Sequence, residues 1–194
     1  MPNLAQIKHN PPSYEQGIGL YVHIPFCQTK CVYCDFNTYE RIEDQIPNYV
    51  DALMNEIKAW SDLLSRPPVR TIFLGGGTPS YLPIDDIDQI LSTIHSSYKV
   101  DESAEITLEC NPGDVTLERA SGWIGANINR VSMGVQSFND GLLALLGRRH
   151  TANEAKRAFR TLRKAGFRNQ SLDLIYGLPK QTVQTFSDTL KKIV

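Results

Sequence analysis

Three of the four cysteines fall within eight residues, as Cys27-x-x-x-Cys31-x-x-Cys34, while Cys110 lies far from them. Thiols at that spacing sit on one tight loop. They read as metal ligands in a reducing compartment, because a disulfide framework scatters its cysteines through the chain. A structural zinc takes four ligands, commonly as two separated pairs. A four-iron cluster held wholly by protein takes four cysteines. Three in one loop leave one iron open to a small chelator that offers an amine and a carboxylate. The competing reading is a zinc site completed by His23 or Cys110. Cys110 adjoins Glu109 on an expected strand, and neighbours in a strand point to opposite faces. If Glu109 faces the site, Cys110 faces the helices as a small apolar residue.

Other residues suit the binding of a polar ligand. Gly75-Gly76-Gly77-Thr78-Pro79 permits close backbone approach and unusual φ angles, and its carbonyls can accept from an ammonium group. It lacks the Lys-Ser/Thr of a phosphate loop, and an ordinary strand-to-helix turn is the plain alternative. Glu109 and Asp173 are acids within apolar strands, where each needs a partner; ion pairs across the rim are the structural alternative. Gln136 both donates and accepts. After Gly147, either Arg148 or Arg149 can clamp a carboxylate with two parallel hydrogen bonds. Tyr21 and His23 alternate around Val22 and so share a face, although a histidine satisfied within the core is the commoner case for His23.

These residues need a frame. Apolar, β-rich runs at Leu20–Ile24, Thr71–Leu74, Glu105–Glu109, Arg130–Val135 and Ser171–Ile175 predict five strands. Between them, Ile46 to Leu64 and Ile84 to Ile94 repeat at helical spacing. A third helix is expected over about Thr116 to Ala126. A fourth opens on the capping box Thr151-Ala152-Asn153-Glu154 and stops at Gly166, and a last one begins near Gln181. Strand–helix alternation argues for a parallel α/β sheet. At roughly 30 residues or more per unit the chain holds about five βα units, too few for a closed barrel of about 250 residues. A partial (β/α) barrel or a doubly wound sheet fits. Each polar motif lies at or near the C-terminal end of a strand, where barrels assemble their sites. The last helical pattern runs on to Val194 without a stop, so the expectation is the front part of a longer protein, with residues 1–18 a polar extension and 19–194 an incomplete barrel.

Composition narrows the function classes. Of 194 residues, 20 are Lys or Arg and 21 are Asp or Glu, a net charge of -1. No basic excess draws in a nucleic-acid backbone. With 41% hydrophobic residues the chain can bury a core, yet no apolar run reaches the roughly 18 residues of a membrane span. The polar, proline-bearing stretch Met1 to Gln16 has no apolar segment of a secretory signal. A cytoplasmic location is expected.

The series Leu20-Tyr-Val-His-Ile-Pro-Phe-Cys27, Cys31-Val-Tyr-Cys34-Asp-Phe-Asn, Gly75-Gly-Gly-Thr-Pro79, Leu108-Glu-Cys-Asn-Pro112, Gly134-Val-Gln-Ser137 and Asp173-Leu-Ile-Tyr-Gly-Leu-Pro179 resembles the radical S-adenosylmethionine superfamily. More narrowly, it resembles the oxygen-independent coproporphyrinogen III oxidase family. The resemblance spans nearly everything after residue 18 and implies a radical-SAM partial barrel. It implies a [4Fe-4S] cluster on Cys27, Cys31 and Cys34. It implies S-adenosylmethionine held by Tyr21, Tyr33, Gly76, Gly77, Thr78, Glu109, Gln136, Arg148 and Asp173, with Glu109 on the ribose hydroxyls, Tyr33 near the adenine, Arg148 on the methionine carboxylate and Arg149 a solvated neighbour. The implied chemistry is one-electron cleavage of the sulfonium carbon–sulfur bond, fed by a reductant such as a flavodoxin or ferredoxin. Members that act as oxidases typically carry a further cysteine two positions past the third, where this chain has Phe36. The Cys34-Asp35-Phe36 form resembles the heme-chaperone branch, which implies heme binding and transfer to an acceptor protein. The alternatives are an oxidase that decarboxylates coproporphyrinogen, a tRNA-modifying radical enzyme, against which the charge argues, and a zinc-binding module.

Overall fold

The computed structural model describes residues 17–193; residues 1–16 of the expected polar extension, and Val194, lie outside them. In chain order the elements are β1 (Ile18–Ile24), the short β2 (Phe26–Cys27) and β3 (Tyr39–Glu40), α1 (Ile46–Leu63), β4 (Pro68–Gly76) and α2 (Ile84–Ser97). They continue with β5 (Lys99–Cys110), α3 (Leu117–Gly125), β6 (Arg130–Gln136), α4 (Asp140–Leu145), α5 (Ala152–Ala165), β7 (Asn169–Leu174) and α6 (Val183–Leu190). The long strands form one sheet in the order β1-β4-β5-β6-β7, and every pairing in it is parallel. Strand order follows chain order without a reversal. That is the winding of a partial barrel and not of a doubly wound sheet, which reverses at a switch point.

Alternation gives the sheet two unlike faces. On the helix side Val22, Ile24, Leu74, Leu108, Val131 and Val135 are buried. The register carries the other, more polar face across in rows: Thr107 is level with Phe73 on one side and Arg130 on the other, and Glu109 with Ser132. Arg130 spans that face from Thr107 Oγ1 (3.2 Å) to Ser171 Oγ (3.0 Å), 3.8 Å from Glu105.

The helices form where their apolar periodicity finds the sheet. In α1, Pro47 stands in the first turn and Ile46, Val50 and Ile57 are buried, a sequence position where proline's missing N–H costs nothing. In α2, Ile87, Ile90, Leu91 and Ile94 are almost wholly inaccessible, each burial contributing roughly 1.5–3 kcal/mol. The capping box on α5 is present on both sides. Glu154 N–H donates to Thr151 Oγ1 (3.2 Å) and Thr151 N–H donates to Glu154 Oε2 (2.7 Å). Gly166, at φ 120°, ends the helix. Two elements depart from the sequence expectation. Helix α4 has no signature in the sequence; its six residues are too short for periodicity to show, and it rests on Asn139 Oδ1, which accepts from Leu142 N–H (3.1 Å). Helix α6 is capped by Thr182 and stops at Leu190. No described helix is long and apolar enough to cross a membrane.

Candidate active site

Strand β1 runs through Pro25 into β2, which carries Cys27 at its end. The glycine loop after β4 pairs with that segment: Gly77 N–H donates to Ile24 O (2.7 Å) and Thr78 N–H to Phe26 O (2.9 Å). The approach is close enough that a Cβ on residue 77 would lie 2.7 Å from Phe26 O and 2.9 Å from Ile24 O. Gly76 turns at φ 114°, a conformation that side chains disfavour. The loop beyond Cys27 closes on itself. Cys34 N–H donates to Cys31 O (3.0 Å), Lys30 N–H to Glu40 Oε2 (2.8 Å), and Lys30 Nζ to Phe36 O (3.3 Å). Strand β3 then returns beside β2.

The strand ends and this loop enclose a cavity of about 530 Å³. Cys27, Cys31 and Cys34 line it, as do Tyr33, Gly76, Gly77, Thr78, Glu109, Gln136, Arg148 and Asp173. Tyr21 stands outside the lining, 60% exposed. It shares the inner face with His23, to which its hydroxyl is bonded (2.9 Å), and stacks on Phe73 at 6.2 Å.

Cys27 is buried, with its Sγ 3.4 Å from Thr78 Oγ1, and burial pushes its thiol pKa up. Arg148 donates from Nη1 to Cys31 Sγ (3.3 Å) and from Nη2 to Gly134 O (2.6 Å), while its buried Nε has no partner. Tyr33 lies against this pair; burial pushes its hydroxyl pKa up to about 12, against the opposing pull of Arg148. Glu109 accepts from Gly76 N–H at one carboxylate oxygen (3.1 Å). Burial raises its pKa, that hydrogen bond lowers it, and Asp173 raises it again. Asp173 is exposed rather than buried, and Ser132 Oγ donates to it (3.1 Å); among the described residues it has no cation within ion-pair distance. Gln136 takes φ 66° at a register shift between β6 and β7, a backbone state uncommon outside glycine.

The donor set is three cysteines lining one cavity, and the two candidates for a fourth protein ligand are engaged elsewhere. His23 is occupied: Nε2 bonds Asn37 O (2.9 Å), so that nitrogen carries the proton, and Nδ1 faces the Tyr21 hydroxyl. Cys110 belongs to the hydrophobic core, and its burial pushes the thiol far from ionisation. Three cysteines on a closed loop, beside a cavity with an anchored carboxylate and an unsatisfied buried guanidinium N–H, match a cluster plus an amino-acid-bearing nucleotide.

One sequence expectation is corrected. Arg149 is not a solvated neighbour: its Nη2 pairs with the buried Asp114 (2.6 Å), and its Nη1 donates to Gln28 Oε1. Sequence reasoning also passed over Ser132 and Asn111, which line the cavity. Ser132 had one available signal, its alternation with Gly134 and Gln136, which puts all three on one face of β6.

Comparison with known proteins agrees with this geometry. The radical SAM superfamily model matches residues 21–193. Heme chaperone HemW from Haemophilus influenzae is 41% identical over 91% of this chain and 48% of its own length. The oxygen-independent coproporphyrinogen III oxidase of Salmonella typhimurium is 35% identical over 92% of this chain and 39% of its own length. The solved Escherichia coli coproporphyrinogen III oxidase HemN, a radical SAM enzyme, superposes on all of this chain and 45% of its own, with TM-score 0.90 and 32% identity. The chain spans about half the length of the curated relatives it matches. With strand order, cysteine loop and family match in agreement, the chain belongs to the radical SAM superfamily, among relatives named as HemW heme chaperones and oxygen-independent coproporphyrinogen III oxidases.

Proposed function

We propose that this chain is the cluster-bearing part of a HemW-like heme chaperone. The observation that carries the reading is the single cavity shared by Cys27, Cys31, Cys34, Glu109, Gln136, Arg148 and Asp173. In this reading the three cysteines hold a [4Fe-4S] cluster and the rest of the cavity holds S-adenosylmethionine. When bound, the cluster supplies the electron that cleaves the sulfonium carbon–sulfur bond. The protein's own part is to bind and orient. Gly76 N–H fixes one oxygen of Glu109, which aims the other at the ribose hydroxyls. Arg148 keeps its Nε N–H for the methionine carboxylate, a charge-assisted bond. Carbonyls of the glycine loop, with Gly76 and Gly77 free of side chains and Thr78 anchored to Phe26, accept from the ammonium. Tyr33 offers a ring to the adenine, and Gln136 and Asp173 complete the polar wall. Tyr21 stays outside the lining, bonded to His23, whose ring packs against Gly76.

The heme-chaperone branch is favoured over the oxidases by Phe36, which lies at the cavity, 69% exposed, where the resembled oxidases carry another cysteine. The identity of 41% to the Haemophilus chaperone supports the same branch. The implied partners are heme, a flavodoxin- or ferredoxin-like reductant and a heme-acceptor protein, all in the cytoplasm. Anaerobic reconstitution of the full-length protein, followed by iron and sulfide analysis, heme titration and coproporphyrinogen turnover on one preparation, tests the reading. Iron with sulfide and heme binding without turnover are expected. Zinc without sulfide overturns the cluster, and efficient turnover moves the protein to the oxidases.

A further inference from the structure

Arg149 adjoins the arginine assigned to the ligand carboxylate, yet its guanidinium serves other groups. Its Nη2 is 2.6 Å from Asp114 Oδ1, and the Asp114 side chain is only 8% exposed. The other Asp114 oxygen accepts from Ser80 Oγ (2.6 Å), which itself accepts from Asn111 N–H (3.1 Å). Ser80 is wholly buried in the turn after the glycine loop, and Arg119 clasps that turn through the carbonyls of Ser80 and Leu82. With Ser80 on one oxygen and Nη2 of Arg149 on the other, the Asp114 carboxylate is itself fixed and tethers the guanidinium at one end. From that fixed position Nη1 donates to Gln28, the residue directly after Cys27.

The cysteine loop has little apolar packing to hold it. Val32 is 78% exposed and Phe36 69%, and the loop is tied by polar bonds at Lys30, Cys31 and Gln28. We propose that Arg149 is a positioning residue, a brace that transmits the rigid Asp114–Ser80 anchor to Gln28 and so fixes the loop that presents Cys27, Cys31 and Cys34. The brace joins four site segments: the cysteine loop, the turn after the glycine loop, the turn after β5 and the segment after α4. The proposal rests on the reading that the loop holds an iron–sulfur cluster.

Gln28 carries the test, because it is exposed and its replacement leaves the buried Arg149–Asp114 pair intact. The protein is reconstituted anaerobically as wild type, Gln28→Ala, Gln28→Glu, Arg149→Ala and the Gln28→Ala/Arg149→Ala double variant. Three quantities are read: the rate of iron loss to a ferrous chelator, the electron paramagnetic resonance spectrum of the reduced cluster with and without S-adenosylmethionine, and the thermal midpoint without cluster. Loss of one charge-assisted tie makes Gln28→Ala release iron about fivefold faster and broadens its spectrum, with the thermal midpoint unchanged. Gln28→Glu, which keeps an acceptor for Arg149, stays at or below the wild-type rate. In the Arg149→Ala background Gln28→Ala adds nothing. A Gln28→Ala rate equal to wild type, or an additive effect in the double variant, overturns the brace while a normal wild-type cluster leaves the proposed function standing. A wild type that takes up no cluster overturns both.

Discussion

Gly77→Ala isolates the junction on which the site depends. The added methyl meets Phe26 O at 2.7 Å, Ile24 O at 2.9 Å and Pro25 C at 3.0 Å, all backbone. No side chain can swing away, so the strand leading to Cys27 must move by about 0.7 Å to reach ordinary van der Waals separation. Overpacking of this kind costs about 1–3 kcal/mol. The same displacement stretches two backbone hydrogen bonds, Gly77 N–H to Ile24 O and Thr78 N–H to Phe26 O, each losing about half of the roughly 1 kcal/mol it contributes. The sum is about 2–4 kcal/mol. With a urea m-value of about 2 kcal/mol/M, the unfolding midpoint of the cluster-free protein falls by about 1–2 M. The control is Gly125→Ala at the end of α3, where a Cβ meets nothing within 4 Å; there the lower backbone entropy of alanine raises stability by up to about 0.5 kcal/mol. A Gly77→Ala midpoint indistinguishable from wild type would refute the reasoning, because it would mean that the loop and strand are not in contact.

Cys31→Ser removes reconstituted cluster iron, whereas Cys110→Ser retains it and loses about 1–3 kcal/mol by burying a hydroxyl in the core; iron analysis beside urea denaturation separates the two. Thr151→Ala breaks the capping box on α5 and lowers stability by about 1 kcal/mol, a thermal midpoint shift of about 2–4 °C; no shift removes the cap from the account of α5. His150 is buried, donates from Nε2 to Val135 O (3.2 Å) and leaves Nδ1 unpartnered, and burial with the nearby Arg148 lowers its pKa from 6.5 to about 4. Between those values the unfolded chain binds the extra proton, so stability falls as pH drops from about 6.5 to about 4, by up to about 3 kcal/mol. Urea unfolding at pH 7 and pH 5 should show the slope reduced in His150→Asn; an identical slope in that variant assigns the effect to other groups.

The local chemistry of the sequence marked most of the frame. Thr151 with Glu154 announces a helix start within four residues, and Leu20–Ile24 or Arg130–Val135 shows its strand by composition alone. Strand β5 begins at Lys99, earlier than its apolar core suggests. Its first residues, Lys99 to Ser103, are polar and exposed except for Val100, and the pairing of Lys99 and Val100 with Pro68 and Val69 sets where the strand begins. The partners of charged residues were equally hidden. Arg149 and Asp114 are 35 residues apart in sequence, and nothing near Arg149 distinguishes a solvated cation from a buried brace.

The same distinction explains why the candidate site was readable by residue but not by arrangement. Glu109 and Ser132 meet because two parallel strands are in register; Arg148 meets Cys31 across 117 residues because α4 and the following turn bring it back over the sheet end. Neither distance follows from spacing. Gln136 adds backbone state to the list, since its φ of 66° arises where β6 slips against β7 between Gly134 and Gln136. A non-glycine residue holds such a conformation only when its surroundings determine it, and here those surroundings are the Ile175 N–H that donates to Gln136 O and the Arg148 clamp on Gly134 O. Strain at Gln136 and the fixed position of Arg148 are therefore one feature of the cavity wall. A change that frees Gly134 O is expected to relax both together.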